Sequence, residues 1–242
     1  MRDHRSRRQI FGIKEIENAL VEGHELRLIL LSSSATKLET EHLTKLAEMA
    51  SIPVRTTSDA SLSRLAKTKL ATKVLALTGQ DPKLTREQVL NLKGASWLLV
   101  NIAYPGNTGF AIRSAEVSGA DACFIDNSML HEGKREALRA SMRADRFMPV
   151  FWDKADQVIE DATNAGKKIF SIEDVGTTTP WQADLTVPAL FVVGGERQGI
   201  PRTILDKSHI ILGLPMYGFI PSYNLQAAMA MVMGERLRQM EK

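Results

Sequence analysis

The chain has 242 residues, of which 44% are hydrophobic and 24% are charged, a balance typical of a globular protein and unlike a disordered one. Its longest apolar runs, such as residues 227–233, are too short to cross a bilayer, and no apolar segment follows the basic N-terminus as in a secretory signal. A single cysteine, Cys123, excludes an intramolecular disulfide and a multi-thiolate zinc site, and no HExxH arrangement occurs. We therefore expect a cytoplasmic protein in a reducing compartment, with metal-free chemistry.

The positive charge is concentrated in the first third of the chain. The formal net charge is +3, but residues 1–80 carry +4 and the remainder carries −1. The basic side chains concerned include Arg2, Arg5, Arg7, Arg8, Arg64, Lys67, Lys69 and Lys73. This distribution suits a segment that binds a polyanion, although a solvated basic surface explains the charge equally well.

The first 78 residues alternate helix and strand signals and predict a small α/β unit. Two sets of apolar residues have the spacing of a helical face: Ile13, Ile16 and Leu20, and then Leu43, Leu46, Ala47 and Ala50. Strands are predicted at residues 26–31, 52–54 and 74–77. Residues 79–94 break the pattern, with Thr85 as the cap of a short helix that runs through Leu92. We therefore predict a domain at residues 1–79, a linker at 80–94 and a second domain at 95–242.

The second domain is predicted to hold a mostly parallel sheet with helices on both faces, because strand and helix signals alternate along it. The predicted strands cover residues 97–102, 122–125, 168–172, 189–193 and 210–214. Three helices are predicted: one that follows the first strand and ends near residue 118, one at residues 155–165 and one at residues 222–239. The last helix is predicted to bury Leu225, Met229, Val232 and Met233. Ligands of parallel sheets collect beyond the carboxyl ends of the strands, so the loops that follow these strands are the candidate site.

The first such loop follows the strand at 97–102. We expect Gly106 and Gly109 to allow a sharp turn, and Asn107 or Thr108 to cap the following helix through a side-chain oxygen. Arg113 then lies near the end of the first helical turn, where its planar guanidinium can face a phosphate at the loop. Taken alone, Arg113 is more simply interpreted as a surface ion-pair residue.

The second loop, residues 194–201, reads GGERQGIP and follows the strand at 189–193. It is neither a GxGxxG nor a Walker sequence, so a nucleotide-phosphate cradle is disfavoured. Glu196 lies within this glycine turn, where its carboxylate can accept hydrogen bonds from backbone N–H groups. Taken alone, this residue is interpreted as structural.

The third loop, residues 214–225, reads LPMYGFIPSYNL and leads into the last helix. Ser222 is predicted to be the N-cap of that helix. Asn224 has no obvious role in a helix, because asparagine is an indifferent helix former. Asn224 is therefore a candidate functional residue.

Taken together, the three loops resemble the SpoU (TrmH-like) family of RNA ribose 2′-O-methyltransferases, within the SPOUT class. The ordered match is Asn107-x-Gly109-x-x-x-Arg113-Ser114-Ala115, then Gly195-Glu196-x-x-Gly199, then Leu214-Pro215-Met216-x-Gly218-x-x-x-Ser222-x-Asn224. Each piece is weak alone, but their joint order and spacing are specific. The N-terminal part, which begins at Ile10-Phe11-Gly12-Ile13 and ends at Val74-Leu75-Ala76-Leu77, also resembles the ribosomal-protein-like substrate-binding domain of many members, so the resemblance covers nearly the whole chain.

The resemblance implies a small N-terminal α/β RNA-binding domain and a C-terminal parallel-sheet domain with a deep trefoil knot. It also implies methyl transfer from S-adenosylmethionine to a ribose 2′-hydroxyl in structured RNA, with ribosomal RNA favoured over transfer RNA, by a homodimer whose active site lies at the interface. The cofactor contacts that it implies are Gly194, Gly195, Leu214, Met216, Tyr223 and Leu225. The catalytic residues that it implies are Arg113, Asn107, Glu196, Ser222 and Asn224.

Two departures from the family pattern leave alternatives open. Tyr223 stands where the family commonly has leucine, and residues 140–146 carry charge where relatives usually have small residues. Within that segment and next to it, Arg139, Arg143 and Arg146 either contact RNA or belong to a solvated helical face. The alternative function is a non-catalytic RNA-binding protein with a degenerate cofactor pocket. A nicotinamide-dependent oxidoreductase is disfavoured, because an early GxGxxG and the ribose-binding acid after it are both missing.

Overall fold

The structure, a computed structural model, describes residues 9–24, 26–66, 72–78, 82–195, 197–220 and 222–241. The chain divides into two compact units, Met1–Gln80 and Asp81–Lys242. Within the described residues, no helix is both long and apolar enough to cross a membrane. The division into a substrate-binding domain, a linker and a catalytic domain stays a prediction.

The first unit is a four-stranded mixed sheet with helices. Its strands are β1 (Gln9–Phe11), β2 (Leu26–Ser32), β3 (Val54–Thr57) and β4 (Val74–Thr78). Its helices are α1 (Ile13–Val21), α2 (Lys37–Met49) and α3 (Asp59–Leu65). The strand order is β1-β4-β2-β3, in which only β2 and β3 are parallel. The predicted small α/β unit is therefore confirmed, with β1 and α3 as elements that the sequence did not predict.

The core of the first unit lies between its sheet and its first two helices. The buried helical residues are Ile16 and Ala19 of α1 and Leu43 and Ala47 of α2. Since Ile13 and Leu20 are partly buried against the same core, the predicted stripe of α1 is confirmed, whereas in α2 Leu46 is half-buried and Ala50 is exposed just beyond the end of the helix. A capping box between Thr36 and Glu39 fixes where α2 begins.

Most of the basic residues that motivated an RNA-binding role for this unit lie outside the described residues. These are Arg2, Arg5, Arg7, Arg8, Lys67 and Lys69. Of the other two, Arg64 donates to Ser61 Oγ at 3.3 Å, and Lys73 Nζ lies 2.8 Å from Glu39 Oε1. The hydrogen bond from Lys73 is the largest of the effects that lower the pKa of Glu39 to about 2. RNA binding by these side chains stays a prediction.

The second unit is a six-stranded parallel α/β domain. Its strands are β5 (Ala95–Val100), β6 (Ala122–Asp126), β7 (Val150–Phe151), β8 (Lys168–Ile172), β9 (Ala189–Gly194) and β10 (Ile210–Leu212). Its helices are α4 (Arg86–Leu90), α5 (Pro105–Val117), α6 (His131–Ala140), α7 (Ala155–Asn164), α8 (Arg202–Leu205) and α9 (Leu225–Met240). The strand order is β10-β8-β9-β5-β6-β7, and every neighbouring pair is parallel. All five predicted strands are confirmed with ends within two residues, whereas β7, α6 and α8 were not predicted.

Two hydrophobic cores cover the faces of this sheet, as the predicted fold class requires. Alternate residues of β5 point to opposite faces: Trp97 and Leu99 pack with α5 and α9, while Leu98 and Val100 pack with α4 and α7. Helix α4, which lies within the predicted linker, therefore belongs to the core of the second unit. The predicted Thr85 cap of this helix is confirmed, since Thr85 forms a capping box. The trefoil knot stays a prediction.

The loop after β5 differs from the prediction, because α5 begins at Pro105. Proline suits a first helical position, where its fixed φ is already helical and its missing N–H has no helical partner to lose. Gly106 and Gly109 are consequently helical residues, and the predicted glycine turn is wrong. The predicted cap by Asn107 or Thr108 is also wrong, since both lie inside the first turns of α5.

Gly109 has a packing role instead. A Cβ atom added to it would lie 2.4 Å from the carbonyl oxygen of Ala137 and 2.5 Å from the Cβ of Ala140, both in α6. Atoms cannot approach so closely, so a side chain here would push α6 away from α5. Glycine at this position is explained by helix packing and needs no ligand.

Candidate active site

The carboxyl edge of the six-stranded sheet holds a cavity of about 200 Å³. Its walls come from the ends of β8 and β9, from the loops after β8, β9 and β10, and from the start of α9. The six predicted cofactor contacts all line it: Gly194, Gly195, Leu214, Met216, Tyr223 and Leu225. The second and third predicted loops therefore meet around one space, although cofactor contact by these residues stays a prediction.

The glycines of the second loop hold that loop against the sheet. The N–H of Gly195 donates to the carbonyl of Val100 at 2.8 Å, and an added Cβ would lie 2.2 Å from the carbonyl oxygen of Asn101. Gly199 has a φ of +57°, which favours glycine, and its N–H donates to the Gly195 carbonyl at 2.9 Å. This part of the cavity wall is consequently backbone, and a side chain at position 195 would displace the loop.

Two carboxylates in the cavity were missed from the sequence. Glu173 and Asp174 directly follow β8 and line the cavity. The Oε1 atom of Glu173 accepts a hydrogen bond from the N–H of Ile200 at 2.6 Å, so this carboxylate fixes the second loop. That is the holding role proposed for Glu196, which lies outside the described residues. The predicted strand at 168–172 ends just before these acids, so the strand-end rule already pointed to them.

The third loop is closed by a hydrogen bond of Tyr223, the residue that departs from the family pattern. Its hydroxyl donates to the carbonyl of Pro215 at 2.8 Å. Between these two residues the loop carries the side chains of Tyr217, Phe219 and Ile220, which are all exposed. Tyr223 thus lines the cavity and ties the two ends of the loop together.

Asn224, and not Ser222, is the N-cap of α9. Its Oδ1 accepts the N–H of Gln226 at 3.0 Å, so the predicted Ser222 cap is wrong and Asn224 has the helix-making role that the sequence did not assign to it. Ser222 instead lines the cavity. The Gln226 side chain donates to Asn107 Oδ1 at 3.3 Å, which joins the first turn of α5 to the start of α9.

Arg113 lies farther along α5 than predicted. Because α5 starts at Pro105, Arg113 is the ninth helical residue and occupies the third turn. Its side chain is exposed, and the described residues that line the cavity do not include it. The described part of this chain therefore does not bring Arg113 into the cavity wall, and its catalytic role stays a prediction.

The charged segment near residues 140–146 is partly neutralised. Arg143 makes two hydrogen bonds to the carboxylate of Asp145, at 3.0 and 2.8 Å. Arg139 and Arg146 are exposed. RNA contact by these three arginines stays a prediction.

The single cysteine is part of the core. Cys123 lies in β6 and is fully buried, and this burial raises the pKa of its thiol. Low thiolate content makes it a poor nucleophile. In the described ranges, no three His, Cys, Asp or Glu side chains form a group that could hold a metal ion.

A parallel sheet whose loops meet around one cavity at its carboxyl edge is typical of ligand-binding α/β domains. Residues 95–234, more than half of the chain, match the SpoU rRNA Methylase family. The chain therefore belongs to the SpoU family of RNA methyltransferases. This confirms the family inferred from the three loops.

Relatives and solved structures cover nearly the full chain. A putative TrmH family tRNA/rRNA methyltransferase of Staphylococcus saprophyticus is 23% identical over 236 residues, which is 95% of each chain. The SpoU methyltransferase AviRb from Streptomyces viridochromogenes, solved with the cofactor AdoMet, has a TM-score of 0.59 at 21% identity and covers 98% of this chain and 92% of its own. An RNA 2′-O ribose methyltransferase has a TM-score of 0.57 at 23% identity, with 100% and 93% covered. These similarities extend the shared fold over both units.

Proposed function

We propose that this protein transfers a methyl group from S-adenosylmethionine to a ribose 2′-hydroxyl in structured RNA. The observation that carries the proposal is the cavity around which the second and third predicted loops converge, in a chain that belongs to the SpoU family. The similar structures, one named a 2′-O ribose methyltransferase and one bound to AdoMet, support the reaction and the cofactor.

The cavity has the chemistry that this cofactor needs. The side chains of Val193, Leu214 and Leu225 offer apolar surface for a purine ring and a methionine chain. The carboxylates of Glu173 and Asp174 suit the ammonium and hydroxyl donors of such a ligand. When bound, S-adenosylmethionine supplies an electrophilic methyl group on a sulfonium. The residues proposed to hold it are Gly194, Gly195, Leu214, Met216, Tyr223 and Leu225.

Arg113 is proposed to bind the phosphate beside the target ribose and to orient the 2′-hydroxyl. A guanidinium stays protonated near neutral pH, so it is better suited to binding and polarising the substrate than to removing a proton. Positioning of this kind accounts for a large part of many enzymatic rate enhancements. Asn107, Glu196, Ser222 and Asn224 are proposed to supply the surrounding hydrogen bonds.

The exposed face of α9 supports the predicted homodimer. Ala230, Met231, Gly234 and Leu237 share that face at helical spacing, and space around Gly234 is open. A helix face that is small and apolar suits close packing against another copy.

The exposed face of α5 supports a site shared between two copies. Arg113 lies there between Phe110 and Val117, two exposed apolar residues at helical spacing. Apolar side chains around a cation suit an interface better than free solvent. We therefore propose that Arg113 of one copy acts at the cavity of the other.

Ribosomal RNA is proposed as the substrate ahead of transfer RNA. The chain has a separate α/β unit before its methyltransferase unit, and that unit carries a net positive charge of +4 over residues 1–80. A basic substrate-binding unit suits a large folded RNA. We propose a cytoplasmic location, where such RNA and the cofactor occur together.

The test is to identify the methylated atom. The purified chain is incubated with S-adenosylmethionine bearing a deuterated methyl group and with unmodified ribosomal or transfer RNA transcripts, which are then digested to nucleosides for mass spectrometry. We expect label on a ribose 2′-oxygen of ribosomal RNA. Label on a base would refute the reaction, and label only in transfer RNA would refute the substrate.

A second measurement distinguishes the proposed enzyme from the alternative function, a non-catalytic RNA-binding protein. Calorimetry with S-adenosylmethionine should show binding heat if the cavity is a working cofactor site. An RNA-binding protein with a degenerate pocket would bind the transcripts but give no heat with the cofactor. That combination would replace the proposed enzyme by the binding protein.

A further inference from the structure

Arg197 and Tyr104 form an exposed pair at the rim of the carboxyl edge, and no role has been assigned to either. Arg197 Nη2 donates to the Tyr104 hydroxyl at 2.7 Å, and the guanidinium carbon lies 5.5 Å from the centre of the tyrosine ring. The two residues come from different loops. Tyr104 follows β5 and precedes α5, while Arg197 lies between Gly195 and Gly199, which both line the cavity.

The contact with Tyr104 positions the Arg197 side chain without neutralising its charge. Among the described residues, no carboxylate forms an ion pair with Arg197, whereas Arg143, Arg202 and Arg238 are paired with Asp145, Asp206 and Glu235, respectively. A contact with the face of a tyrosine and a hydrogen bond to its hydroxyl restrict the arginine side chain and leave its charge intact. Most of the five N–H donors of Arg197 therefore remain available to an anion.

We propose that Arg197, positioned by Tyr104, binds a backbone phosphate of the RNA strand that enters the site. This inference rests on the proposed function, because it assumes that an RNA ribose approaches the cavity. Every such ribose is flanked by phosphates, and a planar guanidinium can bind a phosphate with two parallel hydrogen bonds. Arg197 thus fixes the position of the strand, while the reaction itself depends on other residues.

The main variant is Arg197→Ala, measured for RNA binding, cofactor binding and turnover. Loss of one phosphate contact should raise the RNA Kd and KM by roughly 5- to 50-fold and lower the slope of log affinity against log salt by about 1. The affinity for S-adenosylmethionine should not change, and kcat at saturating RNA should change less than 3-fold, taken as about 0.6 kcal/mol. Arg197→Lys keeps the charge and should restore part of the RNA affinity.

Arg202→Ala is the matched control, because it removes the same charge from an exposed arginine that is already paired with Asp206. It should leave RNA binding and the salt slope close to those of the unaltered chain. Equal losses in both variants would mean that only net charge matters, and the proposal would be overturned.

Tyr104→Phe tests the positioning step, because it removes the hydroxyl but keeps the ring. It should weaken RNA binding less than Arg197→Ala does, and the double variant should be no weaker than Arg197→Ala alone. Additive losses would overturn the role of Tyr104 as a positioning residue.

The RNA measurements use filter binding of unmodified ribosomal and transfer RNA transcripts, so they do not depend on turnover. A chain that binds RNA through Arg197 but methylates none would refute the proposed function and support the phosphate contact. An Arg197→Ala variant with unaltered RNA affinity would refute the phosphate contact, even where methylation proceeds. A change in the oligomeric state of Arg197→Ala would point to a carboxylate of a second copy and would also overturn the proposal.

Discussion

The two edges of the six-stranded sheet differ in where their polar groups lie, which is inside the protein at the amino edge and at a cavity or in solvent at the carboxyl edge. At the amino edge, Lys167 is fully buried, and its Nζ donates to the carbonyls of Leu92 and Gly94 at 3.0 and 3.1 Å. Asp121 Oδ2 lies 3.7 Å from the same nitrogen. Burial raises the pKa of the Asp121 carboxyl and lowers the pKa of the Lys167 ammonium. The charged groups at this edge are therefore paired inside the protein, but the effect of burial on both pKa values is larger than that of the pairing.

At the carboxyl edge, polar groups face a cavity or solvent. Asp174 and Ser222 line the cavity, and Arg197 is held by a tyrosine with no carboxylate paired to it among the described residues. The backbone there is brought close by glycines, as at Gly195. One sheet thus joins an edge whose charged groups are buried and paired within the protein to an edge whose polar groups face a cavity or solvent. Stability should depend on the first and binding on the second.

The largest expected effect is the loss of stability when the buried lysine of the amino edge is removed. Lys167→Ala removes the cation that donates to two buried carbonyls and pairs with Asp121, so the free energy of unfolding should fall by about 3–5 kcal/mol. Lys154→Ala is the control, since it removes an exposed lysine paired with Asp126 and should cost no more than about 1 kcal/mol. Urea unfolding measures both. Equal stability of the two variants would contradict the comparison, as would a loss of cofactor affinity in folded Lys167→Ala.

A smaller effect is expected from changing the carboxyl edge at Gly195. The Cβ atom of Gly195→Ala would collide with the Asn101 carbonyl, so the second loop must move. We expect a stability loss of about 1–3 kcal/mol and at least a 10-fold weaker affinity for S-adenosylmethionine, measured by calorimetry. Gly218→Ala, in open space within the third loop, should leave the cofactor affinity nearly unchanged. If the two alanines behave alike, Gly195 does not shape the cavity wall.

The smallest effect is expected from the hydroxyl of Tyr223. Tyr223→Phe removes the hydrogen bond to the Pro215 carbonyl, which is worth about 0.5–1.5 kcal/mol, so cofactor affinity should fall by a few-fold while the fold stays intact. Tyr217→Phe removes a hydroxyl from a fully exposed side chain of the same loop and should change nothing measurable. A gain in affinity from Tyr223→Phe would show that the bond closes the loop against the cofactor.

Strand positions followed from the sequence because buried strands of a parallel sheet are continuous apolar runs. The starts of helices were harder to predict, since each depends on a single residue. Helix α5 starts at Pro105 and α9 starts after Asn224, and neither start was predicted, although both residue types are common at helix starts. Helix α6 was not predicted because its residues are mostly polar and Ala137 is the one that is buried, so few apolar residues mark its inner face.

The candidate site was predictable where it lies in motifs and unpredictable where distant loops meet. The third loop and the Gly194-Gly195 turn were found by resemblance, and Glu173 was within reach of the strand-end rule. The pair of Arg197 and Tyr104 could not be predicted from the sequence, because these residues are 93 positions apart and no periodicity relates them. Contacts of this kind depend on how the sheet orders its strands.

The proposed function requires that the cavity binds the cofactor and that Arg113 acts on the RNA. The most direct test compares the unaltered chain with Arg113→Ala in two measurements, calorimetry with S-adenosylmethionine and methyl transfer to ribosomal RNA. We expect cofactor affinities equal within about 2-fold, or about 0.4 kcal/mol, and a loss of transfer of roughly 100-fold or more in the variant. Full turnover by Arg113→Ala, or no binding heat from the unaltered chain, would contradict it.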